Sequence, residues 1–263
     1  MAGIILITGG SRGIGAATAR LAAARGYGVA INYQARADAA DAVVAEITAA
    51  GGTAAAFQGD VSKEADVVRL FTQVEHDLGR LAALVNSAGI NGGKSRVADF
   101  AADQLDRLMA VNVVGTMLCC REAVRRLSTR RGGPGGAIVN ISSMAATIGG
   151  RPGSSHYAAS KAAVDAFTVG LAKEVAAEGI RVNGVRPGVT LTDMTDQIRR
   201  DPALRAEVAA TIAMNRVATA EEIAAPILWL LSDEASFVSG CCVNASGGGF
   251  VIGSSLPVPT DDP

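Results

Sequence analysis

Tyr157 and Lys161 stand one helical turn apart in the segment Ser155-His156-Tyr157-Ala158-Ala159-Ser160-Lys161. At that spacing both side chains fall on one helix face. An isolated tyrosine, with a pKa of about 10, is a poor base at neutral pH. A lysine cation one turn away favours the phenolate, which is how a tyrosine becomes a usable acid and base. Taken alone the spacing is a weak signal, because any two helical surface residues can match it. Upstream, Ile141-Ser142-Ser143 closes an apolar run that reads as a strand. A serine hydroxyl at that strand end can hydrogen-bond a substrate oxygen while Tyr157 exchanges a proton with it.

A second set of residues is suited to hold a dinucleotide. Ile4-Ile5-Leu6-Ile7 runs into Thr8-Gly9-Gly10-Ser11-Arg12-Gly13-Ile14-Gly15 and then into an alanine-rich helix. The strict G-x-G-x-x-G order is missing, and the glycines fall as G-x-x-x-G-x-G. The physical requirement is the same: backbone without Cβ atoms admits a pyrophosphate, and a helix N-terminus supplies free N–H groups and partial positive charge. Gly9, Ser11, Arg12, Gly13, Ile14 and Gly15 are therefore candidate cofactor contacts, against the plainer reading of an ordinary strand-to-helix turn. A carboxylate for the ribose 2′-hydroxyl is expected roughly 20 residues on. The second strand instead ends Asn32-Tyr33-Gln34-Ala35-Arg36, with no acid before Asp38. Arg12 and Arg36 suit a 2′-phosphate, so NADP is favoured over NAD, although Arg36 could simply begin a solvated helix. Asn32 and Tyr33 complete this candidate site. Asp60-Val61 follows the third strand and suits an adenine amino group; Asn86-Ser87-Ala88-Gly89 follows the fourth and leaves room for ribose or nicotinamide. All sit at carboxyl ends of strands, where ligands bind in open α/β sheets.

Such residues need a scaffold of alternating elements. Short apolar runs fall at 3–8, 28–33, 53–58, 81–86, 136–141, 180–185 and 241–244. Helical periodicity falls at about 13–25, 37–50, 63–78, 101–130, 156–178 and 219–232. Strands apolar along their whole length belong to a parallel sheet covered on both faces. The expectation is an α/β, doubly wound, Rossmann-type fold: seven parallel strands with helices on both faces, in one domain over 1–263. Segment 189–215 carries mixed helical signal around Asp201-Pro202 and no strand partner, which makes it the candidate mobile lid. Residues 253–263, ending in Asp and Pro, are expected to be poorly ordered.

Composition narrows the classes of partner. A formal net charge of −1 over 263 residues gives no electrostatic reason to expect nucleic acid or an anionic membrane. No apolar run nears the roughly 18 residues of a bilayer span, and the N-terminus lacks the basic start of a signal peptide. The four cysteines form two adjacent pairs, Cys119-Cys120 and Cys241-Cys242. Adjacent thiols make poor disulfides and lack metal-ligand spacing, so packing in a reducing cytoplasm is expected, with no metal. His156 points away from the Tyr157 face and reads as packing or pocket edge, and His76 lies in a charged, solvent-facing helix.

In this order and spacing, the motifs resemble the short-chain dehydrogenase/reductase family, in its compact, roughly 250-residue subgroup, along essentially the whole chain. The turn from Thr8 to Gly15 is similar to the family's cofactor turn, Asn86-Ser87-Ala88-Gly89 to its N-N-A-G, and Ser143, Tyr157 and Lys161 to its catalytic triad. Asn112 matches a fourth catalytic member, which in the family holds a helix kink and a water that relays protons to the lysine. Pro187-Gly188 matches the turn beside the nicotinamide, Thr190 the residue whose backbone holds the carboxamide, and Thr192 the threonine that follows. The resemblance implies transfer of the 4-pro-S hydride between NADP and a small carbonyl or alcohol, Tyr157 as acid and base, Lys161 on the nicotinamide ribose and Ser143 orienting the carbonyl. It also implies a homo-oligomer, tetramer before dimer, using the helices near 101–130 and 156–178.

The chain departs from the family at three points. Ser87 replaces the second asparagine of N-N-A-G. The interval from Ser143 to Tyr157 is one residue longer than the commonest, with Gly149, Gly150, Pro152 and Gly153 able to absorb it. Ser143 is still preferred to Ser142, which strand alternation sends to the other face. Asn244-Ala245-Ser246 stands where relatives usually carry Asp before Gly-Gly, at a segment that supports assembly. The substrate pocket is expected from 91–96, 144–156 and 189–215, with Met144 and Met194 on it. No charge pair there selects a substrate, so 3-oxoacyl thioesters, sugars or polyols, steroids and small aldehydes stay open. NADP use favours reduction. A silent nucleotide-binding sensor and an epimerase or dehydratase with tightly held NAD are the competing readings.

Overall fold

A computed structural model describes residues 3–249, so the expectation for 253–263 lies outside the described residues. Strand β1 (Ile4–Thr8) is buried along its length, and its side chains divide by alternation. Ile4 and Leu6 join one apolar layer and Ile5 and Ile7 the other. Around it stand β2 (Gly28–Tyr33), β3 (Ala54–Gln58), β4 (Leu81–Asn86), β5 (Gly136–Ile141), β6 (Ile180–Pro187) and β7 (Cys242–Ala245). They form one seven-stranded sheet in the order β3-β2-β1-β4-β5-β6-β7, every pair parallel.

Helices cover both faces, as apolar strands require. On the Ile5 face lie α1 (Gly13–Ala24), α2 (Ala37–Ala49) and α10 (Ala220–Leu231), through Ala16, Ala19, Ala22, Val43, Ile47, Ile223 and Ile227. On the Ile4 face lie α3 (Glu64–Leu78), α5 (Gly115–Leu127) and α7 (Ser155–Val175), through Leu70, Phe71, Cys119, Leu127 and Leu171. The chain leaves β1 outward to β3 and then crosses back to β4. Neighbouring strands β1 and β4 thus send their following loops in opposite directions, and a crevice opens between those loops.

Three elements differ from the periodicity reading. The single helix expected at 101–130 is α4 (Ala102–Met109), a π turn (Ala110–Val114) and then α5. The wide turn is satisfied locally: the Thr116 hydroxyl donates to the Asn112 carbonyl at 2.9 Å. Gly115 lets α5 lean on the loop after β3, since a Cβ there would stand 3.0 Å from the Val61 carbonyl oxygen. Segment 189–215 contains no strand, only an isolated parallel bridge from Thr190 to Ala218. It also has an apolar cluster of its own from Val208, Ile212 and Val217, with Leu191, Ile198 and Leu204 against it. Asp201-Pro202, in the middle of the segment's mixed helical signal, starts α9 (Pro202–Ala209), following α8 (Asp196–Arg200). The Asp201 carboxylate accepts from the Ala203 and Leu204 N–H groups at 2.9 and 3.1 Å, and Pro202 sits at N1, where no N–H is missed. A short helix, α6 (Ala145–Ile148), follows β5.

Alanine on α1 is what lets α10 and the sheet close around it. Ala19 is fully buried in that layer. Ala19→Leu has no space to enter and is expected to lower stability by about 1–3 kcal/mol, read as a lower urea midpoint at unchanged m-value.

Candidate active site

The carboxyl ends of β1, β2, β4, β5 and β6 open onto one cleft of about 970 Å³. Its floor depends on the approach of two strand ends. Gly9 has φ +62°, and a Cβ on it would stand 2.8 Å from the Ala88 Cα. The Thr8 hydroxyl accepts from the Ser87 and Ala88 N–H groups, both at 3.1 Å, and clips the two loops together. Gly13 has φ +51° at the start of α1 and faces the Thr192 methyl. Backbone this bare, ending on a helix N-terminus, is a cradle that any side chain would fill, and it fits a pyrophosphate.

Beside the cradle, buried Asn32 donates to the Gly59 carbonyl at 3.0 Å and joins the ends of β2 and β3. Arg12 and Arg36 line the cleft with Tyr33, and both are paired with carboxylates. Arg36 makes a forked contact with Asp38 at 2.8 and 2.6 Å, and that hydrogen bond holds Asp38 at about 2. Arg12 meets Asp193 at 3.1 Å. Asp60 accepts from Ser62 N–H and Oγ at 3.0 and 2.7 Å and pairs with Arg107 at 3.1 Å. Burial pushes its pKa up, but the Ser62 and Arg107 bonds outweigh burial and leave it below the usual carboxylate range.

At the other end, Ser143, Tyr157 and Lys161 converge on the same cleft with Met144, Pro187, Gly188 and Thr190. The Lys161 ammonium is buried, donates to the Ile141 carbonyl at 2.8 Å and lies 6.0 Å from the Tyr157 ring centre. Burial brings its pKa down from 10.5 to about 8, with Asp165 opposing. Tyr157 lies above its ordinary value through burial, with the Ser143 hydroxyl opposing. In this arrangement the Lys161 ammonium bonds the Ile141 carbonyl rather than the phenol hydroxyl, and burial is the largest influence on Tyr157. Ser142 and Ser143 divide as alternation requires: Ser142 is buried and donates to the Lys161 carbonyl at 3.2 Å, while the Ser143 Oγ accepts from Ala145 N–H at 3.1 Å.

Asn112 acts one step back. Wholly buried in the π turn, it does not line the cleft. Its amide pairs with the Ile90 backbone in both directions at 2.9 Å and donates to the Ser160 hydroxyl at 3.0 Å. Ser160 in turn donates to the Tyr157 carbonyl at 2.7 Å. Two candidate cofactor positions, Asn86 and Gly15, do not line the cleft. Asn86 turns away from the cleft to Asn140 at 2.9 Å and Cys120 at 3.2 Å. Gly15 is needed for packing, since a Cβ on it would meet the Gly9 carbonyl oxygen at 2.4 Å. His156 is buried edge-on against Phe100 with neither ring nitrogen bonded, a packing position, and His76 is exposed beside Asp77. Met194 and Ile148 project at the mouth. Lys94, Arg107, Arg151 and Asp193 also line the cleft without having been assigned. Only the match between acidic Asp60 and a basic helix position could have suggested Arg107.

Comparison with known proteins places this geometry. The family model described as Enoyl-(Acyl carrier protein) reductase matches residues 9–249. The Uncharacterized oxidoreductase YgfF of Escherichia coli (strain K12) is 49% identical over 245 residues, 93% of this chain and 99% of the relative. The 3-oxoacyl-[acyl-carrier-protein] reductase of Synechocystis is 38% identical over 250 residues, 93% of this chain and 96% of the relative. Among solved structures, a short chain dehydrogenase from Burkholderia cenocepacia J2315 in complex with NADP superposes with a TM-score of 0.86 at 37% identity, covering 94% of this chain and 98% of the other.

The buried ammonium has a measurable signature. With a folded pKa of about 8 against an ordinary 10.5, the folded chain binds fewer protons than the unfolded one between those values, so this group makes stability rise with pH there. Lys161→Met removes it. The stability advantage of Lys161→Met over the wild type is expected to shrink from pH 7 to pH 10 by on the order of 3 kcal/mol, followed by urea denaturation at each pH. A gap independent of pH contradicts the depressed pKa.

Proposed function

The chain belongs to the short-chain dehydrogenase/reductase family of oxidoreductases, and from that premise we propose that it uses NADP to reduce a carbonyl or oxidise a secondary alcohol, with Tyr157 as general acid and base. The observation that carries this reading is one cleft holding the bare turn with Arg12 and Arg36 at one end and Ser143, Tyr157 and Lys161 at the other. Gly9, Ser11, Gly13 and Ile14 would cradle the pyrophosphate, Arg12 and Arg36 the 2′-phosphate, Asp60 and Val61 the adenine, and Ala88, Gly89, Gly188, Thr190 and Thr192 the nicotinamide side. NADP supplies a hydride donor or acceptor when bound.

The chain's own residues manage the proton. In reduction, the Ser143 hydroxyl holds the carbonyl oxygen and the Tyr157 hydroxyl gives it a proton, leaving a phenolate. A tyrosine hydroxyl is protonated at neutral pH and so is available for that donation. The Lys161 cation is the positive charge placed to receive the resulting phenolate. Asn112, through Ser160 and Ile90, keeps the start of α7 against the loop after β4. Oxidation runs the same transfers backwards, and NADP use favours reduction in the cell.

The apolar mouth formed by Ile148 and Met194 suits a substrate with a hydrophobic or extended body. A 3-oxoacyl thioester is the leading class, supported by the Synechocystis relative's name, with a sugar or polyol second. Met109, Val114 and Met117 are exposed apolar side chains on the run from α4 into α5, which supports a homo-oligomer, tetramer before dimer. A cytoplasmic location and a single domain with 189–215 as substrate lid complete the reading. No described helix is long and apolar enough to cross a membrane.

Tyr157→Phe is expected to lower kcat roughly 10²–10⁴-fold while NADPH affinity stays within twofold. The assay is NADPH and NADH oxidation over a carbonyl panel, with cofactor titration in parallel. Cofactor binding without turnover of any carbonyl by the wild type would favour a silent nucleotide sensor.

A further inference from the structure

Both cations assigned to the 2′-phosphate already hold a carboxylate. Arg36 is held by Asp38, its near neighbour at the start of α2. Arg12 is held by a residue 181 positions away, Asp193, in the first turn of the lid. That turn is docked and internally braced. The Thr192 side chain would be 3.2 Å from a Cβ on Gly13, and Thr195 bonds back to the Thr192 N–H at 3.0 Å and to the Thr190 carbonyl at 2.5 Å. Asp193 also bears on Arg36, whose guanidinium it helps keep charged. One lid carboxylate therefore holds Arg12 beside Arg36, where a 2′-phosphate would sit.

We propose that Asp193 is a specificity-determining residue for the coenzyme: it serves as an internal anion on Arg12 that a 2′-phosphate must displace and a 2′-hydroxyl leaves in place. This rests on the assignment of Arg12 to the 2′-phosphate. Both partners are about half exposed, at 52% and 53% of their side-chain surface, and a pair so exposed is weak enough to exchange. A phosphate, with more charge and more acceptor oxygens than one carboxylate, wins the guanidinium. The Asp193 carboxylate, left without its cation, then repels the phosphate beside it. The chain thereby accepts NADP(H) with less discrimination over NAD(H) than Arg12 and Arg36 alone would confer.

The test is calorimetric titration of NADPH and NADH into the wild type, Asp193→Asn and Asp193→Glu. Asp193→Asn is expected to bind NADPH roughly three- to fivefold more tightly with NADH changed less than about 1.5-fold, a gain that fades in high salt. Asp193→Glu, which keeps the anion, is expected to track the wild type. Equal changes for both coenzymes, no change for NADPH, or weaker NADPH binding in Asp193→Asn would each overturn the proposal. Tighter wild-type binding of NADH than of NADPH would instead overturn the coenzyme reading, while the shift in the ratio on Asp193→Asn still decides the role of Asp193.

Discussion

The site is organised around a cation that has been taken out of water. A buried ammonium is costly unless it is bonded and surrounded by fixed dipoles, and Lys161 is met from every element that reaches it. The Ile141 carbonyl at the end of β5 accepts its hydrogen bond, the Ser142 hydroxyl donates to its backbone carbonyl, and Asp165 stands one turn further along α7. Gly89 after β4 leaves it space, since a Cβ there would be 3.4 Å from both the Lys161 Nζ and the Asn112 Oδ1. Two strand ends, the π turn and α7 are thereby held to one point. The side chains that could act on a substrate, Ser143 and Tyr157, sit on the outer rim of that point.

The opposite end of the cleft is built on a different principle, the removal of side chains. Where Lys161 is enclosed, the turn after β1 is stripped to backbone at Gly9 and Gly13, with the Thr8 hydroxyl holding β1 and β4 together beneath it. Charge enters only at the rim, through Arg12, Arg36 and Asp60, and each is matched by a partner of opposite sign. The parallel sheet makes the two ends compatible, since every strand delivers its carboxyl end to the same edge.

The alternation of strands and helices was legible because fully buried parallel strands are apolar at every position and the helices between them keep one periodic stripe. The bare turn and the Tyr157–Lys161 pair were legible because each is local in the chain. What escaped was tertiary. The pairing of Asp193 with Arg12 and of Arg107 with Asp60 carries no local signal. Asn86 and Gly15 sit inside the right motifs, yet Asn86 turns into the buried polar cluster with Asn140 and Cys120, and Gly15 serves close packing. Which carbonyl the Lys161 ammonium bonds was also not legible, because a shared helix face does not single out Ile141. In 189–215 the helical signal was mixed because two short helices, α8 and α9, meet at Asp201-Pro202.

The π turn at Ala110–Val114 bears on how this chain can change length. A π turn holds one residue more than the helical ladder needs, so α4 and α5 form one rod whose two halves are out of phase. Deleting a residue there would restore a regular ladder without shortening any loop. The extra residue is taken up by the wide turn itself, so α5 would keep Cys119, Cys120 and Leu127 in the layer they fill, and what is lost is the bulge that seats the Asn112 amide between Ile90 and Ser160. A single-residue deletion at this turn should therefore spare the fold and cost the site, whereas the connection at 132–135 before β5 has no slack: a Cβ on Gly133 would meet the Arg126 carbonyl oxygen at 2.4 Å.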